Sequence, residues 1–189
     1  ALKSPINRGV YSVDLKGKIN PVSEKDGQNN AEFSADFSYF INTNSTINTP
    51  YYINVCNNEG KELRLLKNNA GLIEKLKSFN LSKFEFFTIE DSSIKLPDGK
   101  TTHLNAWKLL PPDFDPSRKY PVLVYIYGGP GAQTVNNAWG GANGYWFQHL
   151  AQKGIVVVSV DNRGTGARGS QFKKMTYLEL GKFETEDLI

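Results

Sequence analysis

YPVLVYIYGGPGAQ, residues 120–133, decides how the rest of the chain is read. PVLVYIY (121–127) is apolar at successive rather than alternate positions, as a strand covered on both faces must be. It runs straight into Gly128-Gly129-Pro130-Gly131, with Tyr127 at the mouth of the turn and Gln133 just past it. Glycines let a backbone turn sharply and approach a bound group closely. A loop of this kind can aim donors at an oxyanion, and a tyrosine hydroxyl is such a donor. The alternative for Tyr127 is a strand-end aromatic packed on its own sheet.

Downstream the pattern changes period. Trp146, Phe147, Leu150 and Ala151 form a helical face that Gly154 closes as a C-cap. IVVVSVD (155–161) is then a second buried strand. Strand, helix, strand in this order predicts a βαβ unit with a parallel pair. Functional groups in such sheets gather at the carboxyl ends of the strands. One end carries the Tyr127 turn, and the other carries Asp161-Asn162-Arg163-Gly164-Thr165-Gly166. A loop placed like the Tyr127 turn supplies oxyanion donors in α/β-hydrolases. For Arg163 two readings stand: an Asp-x-Arg ion pair that braces the loop, or a part in catalysis. The GTGARG stretch lacks the spacing of a dinucleotide fingerprint, and no phosphate-binding P-loop is present. GKFETEDLI (181–189) predicts another helix.

Upstream, FEFFTIE (84–90) and THLNAWKLL (102–110) flank Pro97-Asp98-Gly99 and predict an antiparallel hairpin. Leu72, Ile73, Leu76 and Phe79 predict an amphipathic helix within 68–83. Residues 8–67 hold short β-runs: GVYSVDL, INPVS, DFSYFINT, YYINVC and ELRLL. Val10-Tyr11-Ser12-Val13 matches Tyr52-Ile53-Asn54-Val55 in type at an offset of 42, and Gly17-Lys18 matches Gly60-Lys61 at an offset of 43. A period of about 40–45 residues is that of a four-stranded propeller blade. The alternative is a chance likeness of two hairpins in a sandwich. AEFSADFSYFI (31–41) predicts a tight turn at Ala35-Asp36 between inner strands.

Composition bounds the function. A net charge of +3 with scattered basic residues gives no nucleic-acid footprint. No apolar run approaches the ~18 residues of a membrane span. The opening ALKSPINRG does not read as a secretory leader. One cysteine and two distant histidines offer no metal-ligand spacing, so neither a metal nor another cofactor is expected. A serine hydrolase of this fold needs a G-x-S-x-G elbow, and the 189 residues contain none. Gly169-Ser170 lacks the flanking pattern, and His103 and His149 fall on a predicted strand and a predicted helix.

With those residues in view, YPVLVYIYGGPGAQ, WFQHLAQKGIVVVSVDNRGTGARG and LGKFETEDLI resemble the prolyl oligopeptidase family of serine peptidases. More narrowly they resemble its bacterial-type dipeptidyl peptidase IV members. AEFSADFSYFINTNSTINTP and GKELRLLKNN are similar to that family's last propeller blade. The resemblance implies a mixed fold: partial β-propeller blades over 1–67, a linker helix over 68–83, and the N-terminal part of an α/β-hydrolase sheet over 84–189. It implies a parent that removes N-terminal dipeptides with proline or alanine second, acts on peptides, dimerises and lies in the periplasm or cell envelope. Tyr127 matches the family's oxyanion tyrosine, Gly128 to Gln133 the loop beside it, and Asp161 to Gly166 the D-x-R-G-[ST]-G turn. The serine motif, its Asp and His, and the paired glutamates that hold the substrate's amino group have no counterpart in these residues, so the chain alone is expected to be inactive. From another class comes a second expectation, a non-catalytic module that self-associates through exposed edges.

Overall fold

The computed structural model of the chain describes residues 4–23 and 25–189. They form two compact units, one reaching to Phe79 and taking in Asn136–Gly140, the other comprising Asn80–Val135 and Gly141–Ile189. The fold is a partial propeller followed by the start of a hydrolase sheet.

In the first unit, β1 (Tyr11–Val13) and β2 (Ile19–Pro21) make an antiparallel hairpin. Then β3 (Gln28–Phe33), β4 (Tyr39–Thr46), β5 (Thr49–Asn57) and β6 (Glu62–Lys67) form a four-stranded meander in chain order. The sequence repeat is literal at its turns. Asp14 N donates to Lys18 O, and the Asp14 carboxylate accepts from the Lys16 and Lys18 amides. At the second turn, Asn57 N donates to Lys61 O, and the Asn57 side-chain oxygen accepts from the Glu59 and Lys61 amides. Each copy then needs a left-handed residue, supplied by Gly17 (φ 83°) and Gly60 (φ 90°). Val22 and Val10 from the hairpin region pack with Phe40, Cys56 and Ala31 of the meander. The turn predicted at Ala35-Asp36 is closed by Asp36, which accepts hydrogen bonds from the Ser34 and Ser38 hydroxyls at 2.7 Å each. The inner face of β4 is not wholly apolar. Asn42 and Asn44 are buried beside Phe40 and both donate to Asn29 Oδ1 at 3.1 Å. The predicted helix is α1 (Ala70–Lys77), with Leu72, Ile73 and Leu76 half-buried, while Phe79 lies outside it and is exposed.

The second unit is a sheet of order β7-β8-β10-β9. The predicted hairpin is β7 (Phe84–Lys95) and β8 (Thr101–Leu109), antiparallel with Phe84 opposite Leu109. β10 (Val156–Asp161) runs antiparallel to β8 and parallel to β9 (Val122–Val124), which gives the expected βαβ pair around α2 (Gly141–Gln152). Gly154 ends α2 as predicted: its N–H donates to Ala151 O and that of Ile155 donates to Leu150 O. Core lies on both faces of β8 and β10. Leu104, Ala106, Val160 and Phe172 cluster together. On the alternate positions Trp107 meets Phe84 edge-on at 5.1 Å and Phe147 at 5.4 Å.

Two expectations are corrected here. PVLVYIY is not covered on both faces: Val122, Val124 and Tyr127 are 58%, 52% and 73% exposed. The reason is position, because β9 is the sheet's edge strand and pairs only with β10 among the described residues. The α2 face also differs. Trp146 is exposed, and Gln148 is buried instead, exchanging hydrogen bonds with the backbone of Ser82 at 2.7 and 3.1 Å. After β10 come α3 (Ser170–Lys173), a single 3-10 turn (Lys174–Thr176) and α4 (Lys182–Glu186).

Candidate active site

Because β9 and β10 are parallel, their carboxyl ends lie at one end of the sheet, and the two loops singled out in the sequence meet there. Tyr125 N continues the ladder by donating to Val158 O. Beyond it the chain turns at Tyr127. Tyr127 is 73% exposed, and its hydroxyl has no hydrogen-bond partner among the described residues. The face of its ring leans on backbone: a Cβ built on Gly129 would sit 2.7 Å from Tyr127 Cε1, so any side chain there would displace the ring. Gly128 and Gly131 hold the turn at φ 76° and 83°.

Asp161 braces this turn from the other loop. Its Oδ1 accepts from Thr134 N (2.8 Å) and the Thr134 hydroxyl (2.9 Å), and its Oδ2 from Val135 N (3.2 Å). Burial pushes its carboxyl above the usual range, while the Thr134 and Val135 donors and the Arg168 charge pull the other way. Asn162 is fully buried and donates from Nδ2 to Gly128 O (3.2 Å) and Arg163 O (2.7 Å). Gly166 N closes the contact by donating to Ala132 O at 2.8 Å, and a Cβ at Gly166 would meet Gly131 O at 3.2 Å. Gln133 folds within the loop and donates to Val135 O. Gly164 N donates to Phe172 O, so this loop is also tied to α3.

Arg163 follows the bracing reading with a different partner. Asp161 accepts from Thr134 and Val135, and no ion pair joins it to Arg163 among the described residues. Arg163 instead places its backbone N 2.6 Å from Asp187 Oδ2, its Nε 2.8 Å from Asp187 Oδ1 and an Nη 3.0 Å from Glu186 Oε2. Its guanidinium carbon stands 4.7 Å from the Phe183 ring centroid. The loop is thereby fixed to α4 through a carboxylate whose side chain is fully buried. Ser170 begins α3 after Gly169, His103 lies in β8, and His149 lies on α2 against Trp146. None of the three has the strand-to-helix placement of a nucleophile elbow. Thr134 and Asp187 are the neighbours of these loops that motif reading misses, because no spacing in the sequence announces them. Among the described residues no three His, Cys, Asp or Glu side chains gather as a metal site would.

Comparison with known proteins gives the same assignment at both ends of the chain. Residues 143–189 match the prolyl oligopeptidase family, and residues 1–51 match the dipeptidyl peptidase IV N-terminal region. The chain is 38% identical over 187 residues to dipeptidyl peptidase 4 of Trichophyton rubrum, covering 96% of this chain and 23% of the relative. It is 37% identical to the enzyme of the same name from Arthroderma otae, with the same coverage. The crystal structure of Porphyromonas gingivalis dipeptidyl peptidase 4 superposes with a TM-score of 0.86 at 44% identity, over 98% of this chain and 25% of that one. The chain thus spans about a quarter of the length of the proteins it matches.

Proposed function

The chain belongs to the prolyl oligopeptidase family, and from that premise we propose that the protein it forms part of is a serine exopeptidase releasing N-terminal dipeptides with proline or alanine second. The observation that carries this reading is the Tyr127 turn, an exposed phenol with an unengaged hydroxyl on a loop that a buried aspartate and asparagine hold in place. In acyl transfer the carbonyl oxygen gains charge as the serine adds, and a preorganised donor stabilises that charge more than it stabilises the substrate. Tyr127 supplies one donor; Asp161, Asn162 and the glycines position its loop. The nucleophile and its base are absent from these 189 residues. The same reading takes residues 1–67 as the end of an eight-bladed propeller, 68–83 as a linker helix and 84–189 as the opening of the catalytic domain. It places the parent, a homodimer acting on peptides, outside the cytoplasm. No described helix is long and apolar enough to cross a membrane.

The test compares the full-length protein with the 189-residue chain. The full-length protein should hydrolyse Gly-Pro-p-nitroanilide and take up a serine-directed fluorophosphonate, and the short chain should do neither. Labelling of any serine in the short chain would overturn this division of roles. The exposed β9 edge favours a second property of the short chain alone, self-association through strand pairing.

A further inference from the structure

Residues 136–140 fold with the first unit, although both chain neighbours of the segment, Val135 and Gly141, belong to the second. Asn137 holds the segment there with its backbone and both ends of its side-chain amide. Its backbone N donates to Ile6 O at 2.8 Å. Its Oδ1 accepts from Ile47 N at 2.9 Å, and its Nδ2 donates to Asn7 Oδ1 at 3.0 Å. The groups it meets are themselves fixed: Ile47 is buried, and Asn7 Oδ1 also accepts from Gly27 N at 3.2 Å. Further along the segment, Trp139 N donates to Ser45 Oγ at 3.2 Å. Asparagine suits the position because one short side chain supplies both an acceptor and a donor.

In the other direction the chain leads from Asn137 straight to the candidate oxyanion loop. Only Asn136 separates it from Val135, which is fully buried. Val135 N donates to Asp161 Oδ2, Val135 O accepts from the Gln133 side-chain amide, and Thr134 O accepts from Trp107 Nε1 at 3.1 Å. Thr134 and Val135 are the residues through which Asp161 holds the turn of Tyr127. Two residues of chain span at most about 7 Å, so a displacement of Asn137 meets little slack before it reaches Val135. A misplacement of about 1 Å at a reacting centre can cost on the order of a hundredfold in rate. We propose that Asn137 is a positioning residue for the candidate oxyanion loop: by pinning 136–140 in the first unit, it fixes the far end of the loop that carries Tyr127. This role rests on the exopeptidase reading above, with Tyr127 as the donor.

The test is a double-mutant cycle in the full-length enzyme, with Gly-Pro-p-nitroanilide as substrate. Asn137→Ala, Tyr127→Phe and the double variant are compared, with rates expressed per active site as counted by fluorophosphonate titration. Asn137→Ala alone should lower kcat by about tenfold, a fraction of what a fully misplaced group costs. Its KM should stay within about twofold, because the loss falls on the transition state. In the Tyr127→Phe background the same substitution should change kcat by less than about twofold, because the hydroxyl it positions is already gone. A residue that only stabilises the fold would cost the same factor in both backgrounds, so equal factors would overturn the role. An unchanged kcat in Asn137→Ala would overturn it too. If Asn137→Ala does not fold, Asn137→Asp enters the same cycle and is read by the same two criteria; it keeps the size and the acceptor for Ile47 N but loses the donor to Asn7. If the unsubstituted enzyme does not cleave the substrate, the exopeptidase reading falls. If Tyr127→Phe turns over like the unsubstituted enzyme, the donor reading falls and Asn137 with it. If Tyr127→Phe is impaired and Asn137→Ala is not, the positioning role alone falls.

Discussion

Asp161 and Arg163 stand two positions apart and act on different neighbours. Asp161 holds the loop of Tyr127 through Thr134 and Val135, and Arg163 holds its own loop to α4 through Asp187. The sequence shows that both sit at a strand end, but not their partners, because Thr134 and Asp187 are brought close only by the parallel pairing and by the fold of the segment after β10. A local Asp-x-Arg pair is the natural reading of the spacing, but Arg163 pairs with Glu186 and Asp187 instead. Arg163→Ala should therefore be costly, since it leaves the Asp187 carboxylate buried without its counter-charge. The expected loss is about 3–5 kcal/mol, measured as urea unfolding of the chain. Arg163→Lys should recover only part of it, because a lysine cannot reproduce the forked contact. A loss within about 0.5 kcal/mol, ordinary for a surface substitution, would show that the ion pair does not hold the loop.

At the scale of elements, the repeat was legible because the same turn chemistry recurs, an Asp or Asn followed by Gly-Lys. The two copies differ in what surrounds the glycine. A Cβ at Gly17 meets nothing within 4 Å, whereas one at Gly60 would lie 1.8 Å from Val22 O. Gly17→Ala should cost about 1–2 kcal/mol, the left-handed strain alone. Gly60→Ala should add about 1–3 kcal/mol of overpacking. Equal losses in thermal unfolding would count against the close approach of the two hairpins. The β3–β4 turn carries a pH signature. Hydrogen bonds from the Ser38 and Ser34 hydroxyls lower the Asp36 carboxyl from 3.8 to about 2. A folded-state value below the unfolded one means stabilisation that is complete above 3.8 and lost as pH falls through about 2. An NMR titration of Asp36 should show that midpoint, and the S34A/S38A variant should return it toward 3.8; an unchanged midpoint in the variant would refute the assignment. PVLVYIY shows where pattern reading stops. Its apolarity says that the strand is built for cover, and only the strand order reveals that the described chain leaves it at an edge.

For the whole molecule, the class of fold follows from local signals, namely a repeated turn, a change of hydrophobic period and a glycine-rich strand end. The candidate site is legible only in part. Its two loops announce themselves through glycines and apolar strands, while Thr134 has meaning only once the loops touch. The exposed β9 edge has a consequence for the 189-residue chain by itself: size-exclusion chromatography should show concentration-dependent oligomers. A monomer at all concentrations would argue that the edge is protected. The most direct test of the account is the turnover of Gly-Pro-p-nitroanilide by the full-length protein carrying Tyr127→Phe, which removes one hydroxyl and leaves the ring. The account predicts that kcat falls by roughly 10²–10³, the scale for one oxyanion donor, and turnover close to that of the unsubstituted enzyme would contradict it.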